Sequence, residues 1–556
     1  MPRSRRLLVG GGVLAVVAAG VLALLLRPTP GGGSAAGGAS TAPTFVEEAE
    51  AAGIQHAYSG DFAFFVGGGV AAFDCNDDGR QDLYLAGGAG AAALYRNESP
   101  IGGALRFARI PHASTDLDRV TGAYPLDFDG DGRPDLAVLR VGENVILRGV
   151  GDCRFERANE AWAFDGGDAW SAAFSATWEG DATLPTLAIG NYLELNPDDS
   201  PTFECLDNQL FQPAADGSGY GSPLTLAPGY CPLSMLFSDW DRSGRRDLRV
   251  SNDRHYYRET SDGEEQLWRI APGEPPRLYG REDGWQTVKV WGMGIASHDL
   301  TGDGYPEIFL TSQGDNKLQT LANGADEPRY SDIALRHGVT AHRPFAGDDT
   351  TMPSTAWHAE FQDLNNDGLV DLFISKGNVD AQVGFAERDP SNLLIQQPDG
   401  TFAEAAETAG ILTFAKGRGA ALADLNLDGL LDLVMVTRNE NIKLWRNVGG
   451  GDASAPEPMG SWIGLRLKQA GRNRDAIGAW VEVTADGRSN IRELTVGGGH
   501  VSGALGWTHF GLGGADEASV TVTWPDGTVQ GPMTVQANGF AVITRDAPDA
   551  ETWSPR

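Results

Sequence analysis

Residues 127–136 read DFDGDGRPDL, and this acidic segment decides the fold because it recurs along the chain. Its pattern has an acid at positions 1 and 9, oxygen-bearing side chains at positions 3 and 5, and glycine at position 6. A degenerate copy at Trp178 keeps this frame but loses the acids of the pattern. With it, the copies recur every 51 to 64 residues, which predicts seven structural repeats. The six acidic copies begin at Asp74, Asp127, Asp239, Asp299, Asp363 and Asp424.

The oxygen atoms of each copy are spaced as a hard cation requires when a short segment wraps around it. A backbone carbonyl at position 7 would add a further oxygen. Carboxylates gathered in one turn repel one another without a cation, so we predict up to six structural Ca²⁺ ions. Mg²⁺ is disfavoured because it demands octahedral geometry. The predicted ligands are Asp74, Asn76, Asp78, Arg80 and Asp82; Asp127, Asp129, Asp131, Arg133 and Asp135; Asp239, Asp241, Ser243, Arg245 and Asp247; Asp299, Thr301, Asp303, Tyr305 and Glu307; Asp363, Asn365, Asp367, Leu369 and Asp371; and Asp424, Asn426, Asp428, Leu430 and Asp432.

The residues after each acidic segment indicate strands rather than helices. Apolar or β-branched runs follow it, for example DLAVL at 135–139 and DLFIS at 371–375. An EF-hand is excluded because position 12, a Glu in EF-hands, is apolar in all six copies. A second hairpin in each unit raises the number of strands to four. We therefore predict an all-β fold, a seven-bladed β-propeller over residues 44–448 with a degenerate third blade.

The propeller is predicted to be closed by its amino end. Residues 44–54 match residues 401–411 at 8 of 11 positions, and the latter stretch contains the last strand of the sixth unit. The earlier stretch precedes the first acidic segment and should supply the missing last strand of the seventh unit. This pairing would remove the open sheet edge that otherwise favours aggregation.

The four cysteines lie in no CxxC or CxxCH spacing, which argues against a zinc ribbon or c-type haem. The predicted strand directions place Cys75 and Cys153 on one face, and Cys205 and Cys231 on the other. Among the three possible connectivities we predict Cys75–Cys153 and Cys205–Cys231. Free buried thiols are the alternative.

The amino end and the net charge restrict the compartment and the partners. Arg3, Arg5 and Arg6 precede an uncharged stretch from Leu7 to Leu26, long enough to span a bilayer. We predict a signal anchor over residues 1–27 and a Gly/Ala/Ser-rich linker over 28–43. The remainder would then be exported, periplasmic or at the cell surface, or secreted if the segment is cleaved; Sec and twin-arginine export stay open. A net charge of −32 argues against nucleic acid, and we expect a monomer that meets the membrane only through its anchor.

The carboxyl-terminal part indicates a second, smaller domain. A linker at 449–460 precedes alternating apolar residues over 461–545, which predict a small β-sandwich-like domain, and 546–556 form a tail. The acidic hairpins resemble FG-GAP/VCBS repeats, and NRDAIGA at 473–479, HFGLG at 509–513 and WPDGTVQ at 524–530 resemble the ASPIC/UnbV domain. The order is that of the cartilage acidic protein family and its bacterial relatives. The resemblance implies a secreted or surface-exposed calcium-binding protein without a generally assigned activity. The third unit, Ser243 and Glu307 depart from the pattern and leave metal occupancy open there.

No catalytic signature is present, since the sequence lacks HExxH, GxSxG and a P-loop. We therefore favour a binding, adhesion or scaffold protein with an unknown protein or carbohydrate ligand, in which calcium is structural. Whether the chain is an enzyme stays open. His298 and His358 are interpreted as packing residues. The alternative is a calcium-dependent polysaccharide lyase or hydrolase, acting on the face opposite the metal hairpins, where five residues could converge: Tyr192, His255, Tyr256, Tyr257 and Asp380.

Overall fold

The computed structural model describes residues 39–253, 263–340 and 352–555. The signal anchor predicted over 1–27 and most of the linker over 28–43 lie outside these residues. The regular secondary structure of the described part is almost entirely β-strand, with one short α-helix, α1 (Ala334–His337). None of its helices has the length and apolar character needed to cross a membrane.

In the described residues seven sheets follow one another, each with four antiparallel strands from the propeller sequence, which confirms the all-β propeller prediction. Sheets 1 to 3 contain β2 (Val70–Phe73), β3 (Asp82–Leu85), β4 (Ala93–Asn97) and β5 (Phe107–Arg109); β6 (Val120–Leu126), β7 (Asp135–Arg140), β8 (Val145–Gly151) and β9 (Arg154–Arg157); and β10 (Ser171–Thr177), β11 (Thr186–Asn191), β14 (Asn208–Phe211) and β15 (Leu224–Leu226), with a separate hairpin, β12 (Leu193–Leu195) and β13 (Pro201–Cys205), between β11 and β14. Sheets 4 to 6 contain β16 (Pro232–Ser238), β17 (Asp247–Asn252), β18 (Gln266–Arg269) and β19 (Arg277–Leu278); β20 (Gly292–His298), β21 (Glu307–Ser312), β22 (Lys317–Leu321) and β23 (Tyr330–Asp332); and β24 (Ala356–Gln362), β25 (Asp371–Lys376), β26 (Asn392–Gln396) and β27 (Phe402–Glu404). Sheet 7 contains β28 (Lys416–Ala423), β29 (Asp432–Arg438), β30 (Lys443–Asn447) and the amino-terminal strand β1 (Phe45–Glu47).

The first strands of the seven sheets surround one axis. Each contacts the first strand of the next sheet, from β2 through β6, β10, β16, β20 and β24 to β28, and β28 contacts β2. These strands are rich in Ala, Gly and Ser, as in GMGIASH of β20 and SAAFSAT of β10, because little room is available at the centre of the ring. Larger apolar residues fill the space between neighbouring sheets, where Phe309, Leu372 and Leu394 share one buried cluster.

The amino-terminal strand closes the ring as predicted. In sheet 7, β1 pairs antiparallel with β30, with Phe45 opposite Asn447 and Glu47 opposite Trp445. The Arg446 guanidinium also contacts the Glu48 carboxylate at 3.0 Å, and both side chains are largely buried. The last sheet is therefore assembled from both ends of the propeller sequence.

Both predicted disulfides are present. Cys75 in the first acidic segment is bonded to Cys153 in the turn between β8 and β9, and Cys205 at the end of β13 is bonded to Cys231 before β16. The structure therefore confirms the predicted connectivity. Disulfides of this kind indicate an oxidising environment.

The carboxyl-terminal domain is a two-sheet β-sandwich, as predicted. Its core contains the fully buried side chains of Val481, Val520 and Trp524. One sheet has the order β35, β31, β38 and β39, and the other has β33, β32, β36 and β37. Its strands are β31 (Ser461–Lys468), β32 (Trp480–Ala485), β33 (Arg488–Glu493), β34 (Gly503–Leu505), β35 (Thr508–Gly513), β36 (Glu517–Thr523), β37 (Val529–Gln536), β38 (Gly539–Thr544) and β39 (Glu551–Trp553).

A segment of this domain, residues 496–505, enters the axis of the propeller; we call it the axial arm. It bridges Ala176 of sheet 3, Leu236 of sheet 4, Ile295 of sheet 5 and Ala123 of sheet 2, and its strand β34 pairs parallel with β2 of sheet 1. The backbone N–H of His500 donates to His358 Nδ1 of sheet 6 at 3.1 Å. The sequence analysis did not predict this insertion, which joins the two domains through the centre of the ring.

The glycines of the arm make the insertion possible. Gly497, Gly498 and Gly499 have φ values of +123°, +74° and +54°, which favour glycine. A Cβ atom on Gly499 would lie 2.4 Å from the His358 ring, and one on Gly497 would lie 2.7 Å from the Met235 carbonyl oxygen. Any larger residue would have to displace an inner strand.

Candidate metal centre

The six acidic segments connect the first and second strands of their sheets. We number them by sheet as loop 1 (74–82), loop 2 (127–135), loop 4 (239–247), loop 5 (299–307), loop 6 (363–371) and loop 7 (424–432). The corresponding connection in sheet 3 runs from β10 to β11 and lacks the acidic pattern.

Loop 1 shows how the acids organise the turn. Asp74 accepts the backbone N–H groups of Asp78 at 3.1 Å and Gly79 at 2.8 Å, and Asp78 accepts that of Arg80 at 2.9 Å. The acid at position 1 accepts the same two backbone N–H groups, those of positions 5 and 6, in loops 2, 6 and 7, where it is Asp127, Asp363 and Asp424. The acids at positions 1 and 5 therefore direct their oxygens toward the inside of the loop.

The acid at position 9 has a second task that the sequence analysis did not assign. Asp82 accepts the N–H of Cys75 at 2.7 Å and that of Asn97 on β4 at 2.8 Å. It therefore ties the loop to the third strand of its sheet. The same pair of contacts is made by Asp135 with Phe128 and Gly149, by Asp371 with Leu364 and Gln396, and by Asp432 with Leu425 and Asn447.

Electrostatics in these loops favours a cation. Burial, together with the neighbouring carboxylates, raises the pKa of Asp127 to about 7 and that of Asp135 to about 8. Burial also raises the pKa of Asp82 and Asp432 well above the usual range. Carboxylates held together at low solvent exposure are costly to ionise unless a positive charge compensates them.

Loops 1, 2, 6 and 7 present oxygen atoms of the kind that calcium takes, although in loop 2 the Arg148 guanidinium also contacts Asp129 and Asp131. Ligand oxygens of Asp127, Asp129 and Asp135 lie within 4.8 Å of one another in loop 2. In loops 1 and 7, the position 3 oxygens, Asn76 Oδ1 and Asn426 Oδ1, are buried and have no hydrogen-bond partner among the described residues. Buried acceptors of this kind need a partner, and hard oxygen donors suit Ca²⁺.

Loop 4 differs because an arginine contacts its position 9 acid, whereas the arginines at loop 2, Arg133 and Arg148, contact its acids at positions 3 and 5. The Arg245 guanidinium contacts both oxygens of the buried Asp247 at 2.9 and 3.2 Å and reaches Asp241 at 3.5 Å. Asp247 also accepts the Tyr279 hydroxyl at 2.7 Å and the Trp240 indole N–H at 2.9 Å. Its oxygens are thus saturated by protein donors.

Loop 5 differs because its position 9 acid is a glutamate that accepts four hydrogen bonds from protein donors, whereas the position 9 aspartates of loops 1, 2, 6 and 7 each accept two backbone N–H groups. Glu307 accepts the backbone N–H groups of Leu300 at 2.8 Å and Thr301 at 3.0 Å through one oxygen. Its other oxygen accepts the Thr320 hydroxyl at 2.7 Å and that of Thr301 at 3.2 Å. The longer side chain folds back onto its own loop.

The carboxyl-terminal domain contacts each of loops 1, 2, 6 and 7. Trp507 donates its indole N–H to the Gly79 carbonyl of loop 1 at 3.1 Å, and Arg472 contacts the Asp129 carbonyl of loop 2. His509 Nε2 lies 2.6 Å from Asn366 Oδ1 of loop 6. In loop 7 a Cβ atom on Gly429 would lie 1.8 Å from the Trp462 ring.

The residues of the alternative carbohydrate site have other roles or are not described. Tyr192 is fully buried and donates its hydroxyl to Asp253 at 2.5 Å. Asp380 forms an ion pair with Arg438 at 3.1 Å. His255, Tyr256 and Tyr257 lie outside the described residues.

Both histidines before the loops are buried at the domain boundary. His298 Nε2 lies 3.0 Å from Asn490 Oδ1 of the carboxyl-terminal domain, and burial lowers the pKa of His298 to about 3. His358 accepts the N–H of His500 from the axial arm. Both therefore join the two domains.

Two protein families match parts of this chain, in agreement with the architecture described above. Residues 74–138 and 363–435 match the FG-GAP-like repeat, and residues 469–550 match the domain described as ASPIC and UnbV. The chain carries FG-GAP-like repeats and an ASPIC/UnbV domain. This combination is consistent with the cartilage acidic protein family that the sequence resembles.

Among curated proteins, the FG-GAP and ASPIC/UnbV chain is similar to cartilage acidic protein 1. The Xenopus tropicalis protein is 26% identical over 256 residues, covering 44% of this chain and 35% of that protein. The Homo sapiens protein is 25% identical over 238 residues, covering 42% and 33%. The matched region therefore spans about a third of these relatives.

Two solved structures are among those to which the chain is similar. A lectin from Agrocybe aegerita covers 69% of this chain and 94% of its own, with a TM-score of 0.37 and 15% identity. The Dos1 propeller covers 74% and 95%, with a TM-score of 0.35 and 8% identity.

Proposed function

We propose that this chain is an extracytoplasmic calcium-binding scaffold, in which four Ca²⁺ ions hold loops 1, 2, 6 and 7 in place beneath the ASPIC/UnbV domain. The observation that carries the proposal is that Asn76 Oδ1 and Asn426 Oδ1, at ligand positions of loops 1 and 7, are buried without a hydrogen-bond partner among the described residues. The ASPIC/UnbV domain contacts all four of these loops, and it also contacts loop 4, where Arg246 donates to the Gly478 and Pro525 carbonyl oxygens. Loop 4, where Arg245 supplies the positive charge, and loop 5, where Glu307 is saturated, are assigned no ion.

Within each of the four loops the same positions would hold the ion. In loop 1 these are Asp74, Asn76, Asp78 and Asp82 with the Arg80 carbonyl, and the corresponding residues serve in loops 2, 6 and 7. When bound, Ca²⁺ would offset the repulsion between the acids and satisfy the orphaned amide oxygens. The chain itself fixes each loop to its sheet through the acid at position 9.

A scaffold role is supported by the way the two domains are joined. The axial arm lies at the centre of the ring, and loops 1, 2, 4, 6 and 7 contact the sandwich. Residues Ser40–Arg556 accordingly form a single compact unit. The two disulfides support an oxidising compartment outside the cytoplasm, and the arginine-flanked apolar stretch at residues 7–26 supports attachment to a membrane.

The number of bound ions tests this proposal. Equilibrium dialysis of the full chain against radioactive calcium is expected to give about four ions per chain. Asp127→Asn in loop 2, at position 1 where every loop has Asp, should remove one of them. Asp239→Asn, at the same position of loop 4, is the matched control and should leave the number unchanged. A count of six, or loss of an ion in the Asp239→Asn variant, would refute the assignment.

A further inference from the structure

Loop 6 lies against the segment by which the chain enters the propeller. Asn365, at position 3 of the loop, donates its side-chain amide to the Thr41 carbonyl oxygen at 3.0 Å. Gln397, in the turn after β26, donates to the Ser40 carbonyl oxygen at 3.3 Å. Asn365 is 2% exposed, so its contact with Thr41 is largely shielded from solvent. The residues before β1 are therefore held by sheet 6 before the chain joins sheet 7.

Apolar contacts hold the same segment. Leu364, at position 2 of loop 6, shares a buried cluster with Phe45 of β1, and Ala42 packs against that cluster. The Leu364 carbonyl oxygen also accepts the side-chain amide of Asn447 at 3.0 Å, and Asn447 is the residue opposite Phe45 in the pairing of β1 with β30. Loop 6 therefore contacts both strands of the joint that closes the ring.

Loop 7 makes the equivalent contacts with sheet 1, where the chain is continuous. Asn426, also at position 3, donates its side-chain amide to the Gly103 carbonyl oxygen at 3.0 Å, and the Leu425 carbonyl oxygen accepts the Asn97 amide at 2.8 Å. Gly103 lies in the connection from β4 to β5, so a covalent link joins the two strands. In sheet 7 this link is missing, because β30 and β1 come from opposite ends of the propeller sequence.

We propose that loop 6 acts as a calcium-dependent clasp that closes the ring, an inference that rests on the proposed function. Asn365 would bind the ion through Oδ1 while its Nδ2 group holds the Thr41 carbonyl oxygen, so one side chain links ion binding to closure. Without the ion, the carboxylates of Asp363 and Asp367 repel each other and the loop loses its fixed shape. β1 is then released, and the N–H and C=O groups at the edge of β30 lose their partners.

The clasp makes the opening of β1 depend on the calcium concentration. An opening that releases the ion is suppressed about a hundredfold when free calcium is one hundred times the Kd, and about tenfold more for each further tenfold rise. Two backbone amides report on this opening. The Phe45 N–H donates to the Ala409 carbonyl oxygen at 2.8 Å, and the Glu48 N–H donates to the Leu444 carbonyl oxygen at 2.7 Å.

Hydrogen–deuterium exchange of the full chain, measured by mass spectrometry of peptides that cover residues 44–48, tests the proposal. In the parent chain, excess chelator should speed exchange in these peptides by about tenfold or more. Asp363→Asn, which removes a ligand of loop 6, should give fast exchange even in saturating calcium. Asp127→Asn in loop 2 is the matched control, because it should also lose one ion but should keep the parent rate of exchange at residues 44–48.

A second variant, Asn365→Asp, separates the clasp from the ion. It keeps an oxygen ligand, as Asp129 does at the same position of loop 2, but loses the amide that donates to Thr41. We expect it to retain its ions in dialysis and to exchange about tenfold faster at residues 44–48, since a hydrogen bond is replaced by two facing oxygen atoms. Asn426→Asp, which loses the equivalent contact with sheet 1, should leave this exchange unchanged.

The strand β16 provides an internal reference, because loop 4 of its sheet is assigned no ion. Slow exchange in β16 in all samples would show that the opening is local. The proposal is overturned if exchange at residues 44–48 is unchanged in the Asp363→Asn and Asn365→Asp variants, or if Asp127→Asn speeds it equally. In that case dialysis still gives about four ions per chain, whereas a chain that binds no calcium overturns the proposed function as well.

Discussion

The indole N–H of Trp507 donates to the carbonyl oxygen of Gly79 across 3.1 Å, joining the ASPIC/UnbV domain to the glycine at position 6 of loop 1. Gly79 also lies against the Trp553 ring, since a Cβ atom on it would lie 2.2 Å from that ring. The turn that would hold the ion is therefore the same turn that contacts the second domain. Ion binding and domain docking are expected to depend on each other.

Replacing Trp507 by Phe should reveal this coupling. The variant keeps a ring but loses one hydrogen bond across the domain boundary, which should cost about 1 kcal/mol of unfolding free energy in urea denaturation. It should also weaken the calcium affinity of one site. Trp524→Phe is the control, because the Trp524 indole donates within its own domain, to Gln530 at 3.0 Å. Equal calcium affinity in the Trp507→Phe variant and the parent would contradict the coupling.

Replacing Arg245 by Gln should make loop 4 calcium-dependent. Without the guanidinium, the buried Asp247 loses its compensating charge, and we expect destabilisation of about 3 kcal/mol or more in the absence of calcium. Calcium should restore part of this loss and raise the ion count by one. Arg242→Gln, whose guanidinium lies over the Trp480 ring rather than on a loop acid, serves as the control. The same destabilisation with and without calcium would show that Arg245 does not stand in for an ion.

Because the axial arm is tightly packed, we expect two glycine substitutions, one inside it and one outside it, to lower the unfolding free energy by different amounts. Gly487→Ala places a methyl group in open space at φ +76°, so it should cost only the backbone strain of about 1 kcal/mol. Gly499→Ala adds a clash with the His358 ring and should lower the unfolding free energy by several kcal/mol. Thermal and urea unfolding of both variants provide the comparison. Equal effects would show that the arm is not packed in the axis.

The fully buried His500 should make stability depend on pH. Burial lowers its pKa from 6.5 to about 3, with Arg418 and His358 contributing in the same direction. Between these values the unfolded chain binds a proton that the folded chain does not, so stability is fully present above pH 6.5 and is lost as pH falls toward 3. His500→Gln should make this loss less steep by up to about 1.4 kcal/mol per pH unit. The unfolding free energy is measured by urea denaturation at several pH values from 4.5 to 6.5. If it depends on pH as steeply in the His500→Gln variant as in the parent chain, the assignment is contradicted.

The sequence predicted the features that repeat or pair along the chain. The spacing of the acids fixed the positions of the loops, the likeness of residues 44–54 to 401–411 identified the closing strand, and the strand directions paired the cysteines. These inferences succeed because each rests on a local pattern that every sheet repeats, or on a geometric consequence of that repetition.

The features it did not predict depend on single contacts between distant residues. VGGGHVS at 496–502 has the composition of an ordinary turn, and nothing in it indicates that seven inner strands will surround it. Arg245 was assigned a role through its backbone carbonyl, whereas its side chain neutralises Asp247. The difference from loop 2 cannot be read from sequence, because Arg133 occupies the same position there and contacts Asp131 instead.

The central claim is that calcium holds the acidic loops and, through them, both domains. Thermal unfolding of the full chain with calcium and with excess chelator tests it most directly. At a free calcium concentration one hundred times the Kd, each occupied site should add about 2.7 kcal/mol to the unfolding free energy. Chelation should therefore lower the melting temperature substantially, and added calcium should restore it. A melting curve that is unchanged in excess chelator would contradict the account.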